Sequence, residues 1–421
     1  MNFKRAKGCY DIVPHPQEAW KDSSVWQWLE AQLHRFCSLY HFEEVRPPLF
    51  EATELFTRSV GQGTDIVTKE MYTFEDKGGR SLTLRPEMTA SAIRCFLENG
   101  LHTTKHHRIY YISNCFRYER AQQGRYRQFA QFGIEVLGES GPASDAETIA
   151  MLLHLYETLG LKNLVLHINT LGNLEARQRY IQALRTFLKE KQQNLSADSQ
   201  RRLQVNPLRI LDSKAPEDRE VIQKGPQLSE FLSKEASTHF QAVCDILDDL
   251  SLPYEKNAHL VRGLDYYCDT VFEVIAKDDT AAQNTIGAGG RYDGLVKGLG
   301  GPDLAGIGFA TGLERVLQNL VQQQALPPME HHPKWYFIPL TDSAQPLLLR
   351  IMQSVRKRNQ SALCHPKVVN AKKGLQAAVH KEAKFAALIG DTEMAQGTIT
   401  VKELATRKEQ TLPLKELINQ L

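Results

Sequence analysis

Two β-rich runs, residues 108–118 (RIYYISNCFRY) and 127–137 (RQFAQFGIEVL), stand eight residues apart and constrain the fold more than any other feature of the chain. Aromatic and β-branched residues suit a pleated, half-buried surface, and so short a connection returns the chain antiparallel. The spacing predicts an antiparallel hairpin with a long polar tip. Around it, helices and strands alternate. Residues 19–40 read as a long amphipathic helix, followed by a strand at 42–46 (FEEVR) that Pro47 and Pro48 stop, because proline lacks the N–H a ladder needs. Residues 80–85 (RSLTLR) form a short alternating strand, and Pro86 opens a helix expected over 87–99. The expected class is mixed α/β (α+β) and multidomain.

With 421 residues the chain has material for two to four domains. The clearest division is residues 325–333 (ALPPMEHHP), where Pro-Pro and His-Pro break helices and few apolar residues are available to pack. A second change begins after residue 171: residues 172–252 are charged, helical text that interrupts the N-terminal body. Expected boundaries are therefore 1–324 with an insertion at 172–252, a linker at 325–333, and a module at 334–421. Lys and Arg total 51 against 49 Asp and Glu. This near-balance hides an asymmetry, since 334–421 holds 14 basic against 7 acidic residues, +7, which leaves −5 for the rest. A basic module suggests a polyanionic partner, although a solvated Lys-rich surface is the simpler reading of charge alone. No stretch approaches the roughly 18 apolar residues of a membrane span. No apolar run follows the basic start MNFKRAKG, which argues against a secretory signal. Seven scattered cysteines without a CxxC pair fit neither a disulfide framework nor a zinc site, and point to a reducing cytoplasm.

Three segments carry chemistry. In the hairpin tip, FRYERAQQGRYRQF, Arg117, Arg120, Arg125 and Arg127 crowd around Gly124. Arginine grips phosphate or carboxylate with two donors, so a phosphate-rich ligand fits, but so does an exposed polar hairpin face. In residues 260–276 (LVRGLDYYCDTVFEVIA), Arg262, Asp265, Tyr266 and Tyr267 precede an apolar strand. TIGAGGRYDG follows; counted from Gly287, the sixth position of a GxGxxG pattern is Tyr292 rather than Gly or Ala, so it is not a dinucleotide-binding fingerprint, and its glycines mark close backbone approach or a bulge. Finally, GIGFATGLERVL (306–317) reads as a glycine-rich strand running into a helix that carries Glu314 and Arg315, with Gly308 and Gly312 allowing close strand–helix packing.

Taken together and in this order, these segments resemble the histidyl-tRNA synthetases, a family of class II aminoacyl-tRNA synthetases. VRPPLFE around Pro48 resembles motif 1, LRPEMTA the amino-acid-binding turn, FRYERAQQGRYRQF motif 2 and GIGFATGLERVL motif 3. LVRGLDYY and GAGGRYDGL resemble the two segments peculiar to the histidine enzymes. The resemblance implies an antiparallel catalytic sheet flanked by helices, a helical insertion near the tRNA acceptor stem, and a C-terminal α/β anticodon-binding domain. It implies ATP-dependent joining of L-histidine to its tRNA through a histidyl-adenylate, with Mg²⁺ accompanying ATP and a homodimer built on motif 1.

Residue by residue, the resemblance puts Arg117 at the α-phosphate and Arg315 at the γ-phosphate. Phe129 stacks on adenine with Glu119 near its edge, and Arg262 stands near the α-phosphate where other class II members place a metal ion. Glu135 and Tyr267, with neighbouring Tyr266, match the imidazole site. Glu87, Thr89 and Gln131 match the groups at the α-amino end, and Arg125 matches an arginine at the carboxylate or phosphates. Gln122 would meet the extra 5′ nucleotide of the tRNA. Protein ligands to the metal stay unidentified. Met88, Ala121 and Ala130 depart from the usual residues without removing a charged or hydrogen-bonding group. The rival reading is the synthetase-like regulatory subunit of ATP phosphoribosyltransferase, but such paralogues typically lose the arginine segment and the C-terminal domain, both present here.

Overall fold

The computed structural model describes residues 3–104, 107–119, 124–211, 213, 215–277, 284–329 and 332–420. The hairpin forms at the expected place. Its strands, His107–Phe116 and Gln128–Leu137, pair antiparallel from His107 opposite Leu137 to Phe116 opposite Gln128. In chain order the main sheet comprises β1 (Glu43–Glu44), β2 (His107–Phe116), β3 (Gln128–Leu137), β4 (Leu164–Thr170), β5 (Glu255–Lys256), β6 (Cys268–Ala276), β7 (Thr285–Arg291) and β8 (Gly306–Gly312). Their spatial order is β1-β2-β3-β8-β7-β6-β4-β5, antiparallel except for β1 with β2 and β4 with β5.

The main helices of this unit are α1 (Ser23–Leu39), α2 (Thr53–Ser59), α3 (Thr89–Glu98), α4 (Pro142–Leu159), α5 (Leu174–Glu190), α6 (Ala197–Val205), α7 (Lys234–Asp249) and α8 (Leu313–Gln322), with a further seven-residue helix, Pro216–Ile222, and shorter turns between. The Asp22 side chain caps α1 through the Ser24 N–H at 2.9 Å, and Val25, Trp26, Leu29, Leu33, Phe36 and Cys37 bury one stripe. α3 begins at Thr89 rather than at the expected Glu87, because the Glu87 carboxylate is spent accepting from the Thr89 and Ala90 N–H groups at 2.7 and 2.9 Å. Met88, one of the departures, is fully buried there.

The strand expected at 42–46 shortens to Glu43–Glu44. Beyond it the chain is held by a side chain instead of a ladder: Arg85 donates to the Pro47 and Pro48 carbonyls at 2.7 and 2.9 Å and to the Asn114 carbonyl at 2.8 Å. The strand expected at 80–85 forms as Ser81–Leu84 and is the centre of a second, three-stranded sheet, between Phe50–Ala52 and Tyr72–Glu75, two strands the sequence did not signal.

The chain divides into two compact units, Met1–Pro327 and Pro328–Leu421. Within the first, the helices of 172–252 share an apolar cluster with the sheet, Tyr180, Leu184 and Leu188 joining Phe96, Tyr111 and Leu137. The second unit has strands β9 (Trp335–Pro339), β10 (Ala362–Cys364), β11 (Phe385–Ile389), β12 (Thr398–Glu403) and β13 (Glu409–Pro413) in the order β10-β9-β11-β12-β13. The sequence reads here as strands at 335–340, 385–389 and 397–401 and helices at 345–358 and 374–384; the longer helices are Ala344–Lys357 and Ala371–His380. The two strands Ala362–Cys364 and Glu409–Pro413 and the short helices Asp391–Gln396 and Leu414–Gln420 were not expected.

Candidate active site

A cleft of about 970 Å³ opens over the middle of the main sheet. Glu87, Thr89, Arg117, Glu119, Arg125, Phe129, Gln131, Glu135, Arg262, Tyr266, Tyr267 and Arg315 all line it, so the sequence candidates that the structure describes converge on one place. Gln122, Arg120 and Ala121 lie outside the described residues. β3 alone contributes Phe129, Gln131 and Glu135, alternate residues on one strand face.

At one end sit the carboxylates. Glu135 is 1% exposed and accepts from the Tyr111 hydroxyl at 3.1 Å and from the Tyr292 hydroxyl. Burial pushes its carboxyl up to about 8, with the Tyr292, Thr89 and Tyr111 hydrogen bonds opposing that rise. Burial also raises Glu87, against the pull of the Ala90 and Thr89 N–H groups and of Arg117. Tyr266 and Tyr267 pack with their rings tilted by 45° and their centroids 4.7 Å apart, Tyr292 packs edge-on to Tyr266 at 5.8 Å, and burial raises all three phenols. Gln131 accepts from the Cys115 thiol at 3.3 Å. Two carboxylates and several phenols in a buried space suit a ligand that brings its own N–H donors and positive charge.

At the other end sit the arginines. Arg117 donates to the Pro86 carbonyl at 2.8 Å and lies 5.3 Å from the Phe129 ring centroid. Glu119 approaches Arg125 at 3.2 Å and Arg117 at 3.8 Å. Arg262 lies 3.7 Å from Glu273 and 5.7 Å from the Tyr267 ring, and its buried Nε makes no hydrogen bond among the described residues. Arg315 donates to the Gly124 carbonyl at 3.1 Å and the Thr285 carbonyl at 2.6 Å, joining the hairpin tip to β7. Fixed guanidinium groups ringing an aromatic platform are suited to a nucleoside polyphosphate.

Three residues of the site escaped the sequence reading. Glu314, 2% exposed, accepts from the Ala130 N–H at 2.6 Å and from the Tyr10 hydroxyl, and burial pushes it up to about 7. It ties the N-terminal segment, β3 and α8 together; its place beside Arg315 was visible, but nothing marked it as inward-facing. Of the partners of Glu135, Tyr111 in RIYYIS drew no notice, and Tyr292 in GGRYDG stood out only as breaking the dinucleotide-binding pattern. The glycine reading needs correction. A Cβ on Gly308 would fall 2.1 Å from Glu135 Oε2 and 2.2 Å from the Ile134 carbonyl, so its smallness serves the neighbouring strand and the carboxylate, while Gly312 has no close neighbour at all.

The donor set was tested for a metal. The one cluster among the described residues able to hold an ion, Cys268 with Asp269 and Asp293, does not line the cleft, and burial pushes the Cys268 thiol up to about 12. Of the carboxylates lining the cleft beside the arginines, Glu119 is engaged with Arg125, Glu273 with Arg262 and Glu314 with Tyr10 and Ala130. The residues therefore do not fit a protein-held metal in the cleft.

A family model described as Histidyl-tRNA synthetase matches residues 15–316, and one described as Anticodon binding domain matches 334–421. A histidine–tRNA ligase of Protochlamydia amoebophila is 46% identical over 419 residues, covering 99% of each chain, and one of Streptococcus uberis is 43% identical over 420 residues, covering 99% of this chain and 97% of the other. The crystal structure of apo S. aureus histidyl-tRNA synthetase overlays 100% of this chain and 99% of its own with a TM-score of 0.83 at 34% identity. A structure described as an ATP phosphoribosyltransferase regulatory subunit/histidyl-tRNA synthetase from Bacillus halodurans C overlays 90% of this chain and 97% of its own with a TM-score of 0.64 at 21% identity, a likeness of fold. Identity at this level across the full length reaches beyond fold, and the chain belongs to the histidyl-tRNA synthetase family.

Proposed function

We infer that this protein charges tRNA with histidine in two steps: histidine and ATP form a histidyl-adenylate and pyrophosphate, and the histidyl group then passes to the tRNA with release of AMP. The observation that carries the reading is the meeting, in one cleft, of the buried carboxylates Glu87 and Glu135 with Arg117, Arg262 and Arg315. The regulatory-subunit alternative is not favoured, since the relatives identical at 43–46% over the full chain are histidine–tRNA ligases.

The first step brings an anionic carboxylate to an anionic α-phosphate. Preorganised cations lower that barrier, because they meet the developing charge without reorganising. We assign Arg117 and Arg262 to the α-phosphate and Arg315 to the γ-phosphate, with Phe129 as the adenine platform and Glu119 at its edge. Arg125 answers the substrate carboxylate or phosphates. Glu135 and Tyr267, with Tyr266 beside them, receive the imidazole, whose ring nitrogens distinguish histidine from other flat side chains; a site built on such polar pairing rejects analogues lacking them. Glu87, Thr89 and Gln131 hold the α-ammonium. ATP ligases of this kind generally need a divalent ion; we assign Mg²⁺, entering with the ATP phosphates, and route no step through it. Gln122 is proposed for the tRNA 5′ end, and 334–421, with its +7 balance, for the anticodon arm. We propose a cytoplasmic homodimer: Leu49, Phe50 and Phe74 beside the Pro47–Pro48 segment are 46, 49 and 43% exposed, an apolar surface a second copy would cover.

Histidine-dependent exchange of labelled pyrophosphate into ATP tests the enzyme, and its absence in folded protein with Mg²⁺ would sink the reading. A charge-assisted contact is worth about 1.5–3 kcal/mol, so Arg262→Ala is expected to slow exchange by roughly tenfold to over a hundredfold. A normal rate would remove Arg262 from the α-phosphate.

A further inference from the structure

The backbone that carries Tyr266 and Tyr267 lies ahead of β6, and its carbonyls are gripped from the insertion. Arg177, in the first turn of α5, donates through Nη1 to the Asp265 carbonyl at 2.7 Å and the Tyr267 carbonyl at 3.1 Å, while its Nη2 lies 3.5 Å from Asp265 Oδ1. Asn206, which ends α6, donates to the same Oδ1 at 3.1 Å. From the opposite side the Asp265 N–H donates to the Val60 carbonyl at 3.1 Å, at the end of α2. Gly61 there has φ +100°, and a Cβ on it would fall 2.2 Å from Asp265 Oδ2. Asp265 is therefore a knot joining α2, α5 and α6. The two residues that follow it line the cleft, whereas Arg177 does not.

We propose that Arg177, assisted by Asn206, is a positioning residue for histidine recognition, through which the insertion sets the placement of Tyr266 and Tyr267. The reasoning is geometric. One guanidinium spans carbonyls two residues apart and so fixes the peptide plane before Tyr266 and the one after Tyr267, bracketing the pair, which a neutral or shorter side chain cannot do. Four of the ATP contacts assigned above, Arg117, Glu119, Phe129 and Arg315, arise from β3, the hairpin tip and α8, with which Arg177 makes no hydrogen bond among the described residues; Arg262 alone shares the gripped segment, three residues ahead of Asp265. Loosening it should therefore weaken histidine more than ATP. The proposal rests on the assignment of Tyr267 to the imidazole.

The test is steady-state pyrophosphate exchange with the full chain, varying histidine and ATP separately. Arg177→Met keeps the aliphatic stem and removes the donors. It is expected to raise the histidine KM about tenfold, the lower end of what one charge-assisted hydrogen bond carries, with the ATP KM within about twofold. Arg177→Lys restores one charged donor and should recover part of that loss. Asn206→Ala removes a bond from a neutral donor to the Asp265 carboxylate and leaves the Arg177 grip on the carbonyls, so it should raise the histidine KM about threefold with the same selectivity; it carries the test if Arg177→Met does not fold. A histidine KM unchanged in folded Arg177→Met, or equal increases in both KM values, overturns the proposal. Tyr267→Phe is measured alongside. If it leaves the histidine KM unchanged, the Tyr267 assignment fails and the proposal with it; if it raises that KM while the Arg177 variant does not, the proposal alone fails.

Discussion

Replacing Glu135 by Gln keeps the shape of the site and removes an ionisation that the structure makes costly. The carboxyl sits at about 8 in the empty cleft against an ordinary 4.5. At about 1.4 kcal/mol per pH unit, that gap amounts to about 5 kcal/mol favouring the protonated form of the folded chain. The sign follows from proton counting. Between 4.5 and 8 the folded state holds a proton the unfolded state has lost, so this group's contribution is full at acid pH and declines as pH rises through 8. Between pH 5 and pH 8 the decline is about 3–4 kcal/mol, and Glu135→Gln lacks it. The advantage of the variant in the unfolding transition of the ligand-free protein should therefore grow across that range and level off above it. Histidine binding gives the second readout. If an imidazole N–H requires the carboxylate, binding must expel the proton, and the parent's affinity should rise about fivefold from pH 7 to pH 8 while the variant's stays flatter and about tenfold or more weaker at the upper end. Calorimetry in buffers of different ionisation enthalpy would detect the released proton directly. Equal pH slopes for parent and variant, in both stability and affinity, would show that Glu135 is ionised in the empty site and that the physical argument is wrong.

Two further outcomes follow from packing. Gly308→Ala drives a methyl toward Glu135 Oε2 and the Ile134 carbonyl, backbone that cannot step aside; we expect a loss of about 1–3 kcal/mol in thermal unfolding and a rise of the histidine KM of tenfold or more in exchange assays. Asp145→Asn leaves Arg291, 1% exposed, with Asp293 at 2.9 Å as its remaining carboxylate partner and weakens the His239 bond of 2.8 Å from α7, so the protein should lose about 1.5–3 kcal/mol, read as a lowered unfolding midpoint.

What the sequence disclosed and what it withheld divide along physical lines. The hairpin was legible because alternation and aromatic content are local signals, and the arginines of its tip because their spacing is short. β7 and β8 were legible as glycine-rich runs, but their partners were not: glycines announce close approach without saying to what. The outer strands of the three-stranded sheet were missed because Phe50 and Phe74 leave half their surface exposed and give no burial pattern. Glu314 was missed because a charged residue in the first turn of a helix reads as solvated, and only the fold brings Tyr10 against it. Arg177 lies 88 residues from Asp265, so no window along the chain could have paired them.

The glycines of β7 and β8 carry one more consequence. Gly287, Gly289, Gly290 and Gly308 each leave 2.0–2.7 Å where a methyl would need more, with Tyr156, Gly308, Thr270 and Glu135 as the obstructing neighbours. The sheet beneath the cleft, of which Gly287 and Gly308 reach the lining, is thus a floor on which a side chain at these four positions is a collision, while the walls are side chains drawn from the hairpin tip, the segment at 260–267 and α8. A selection aimed at making this scaffold accept a different amino acid would find its variants in the walls and lose them from the floor, and libraries built on it should leave those four codons alone.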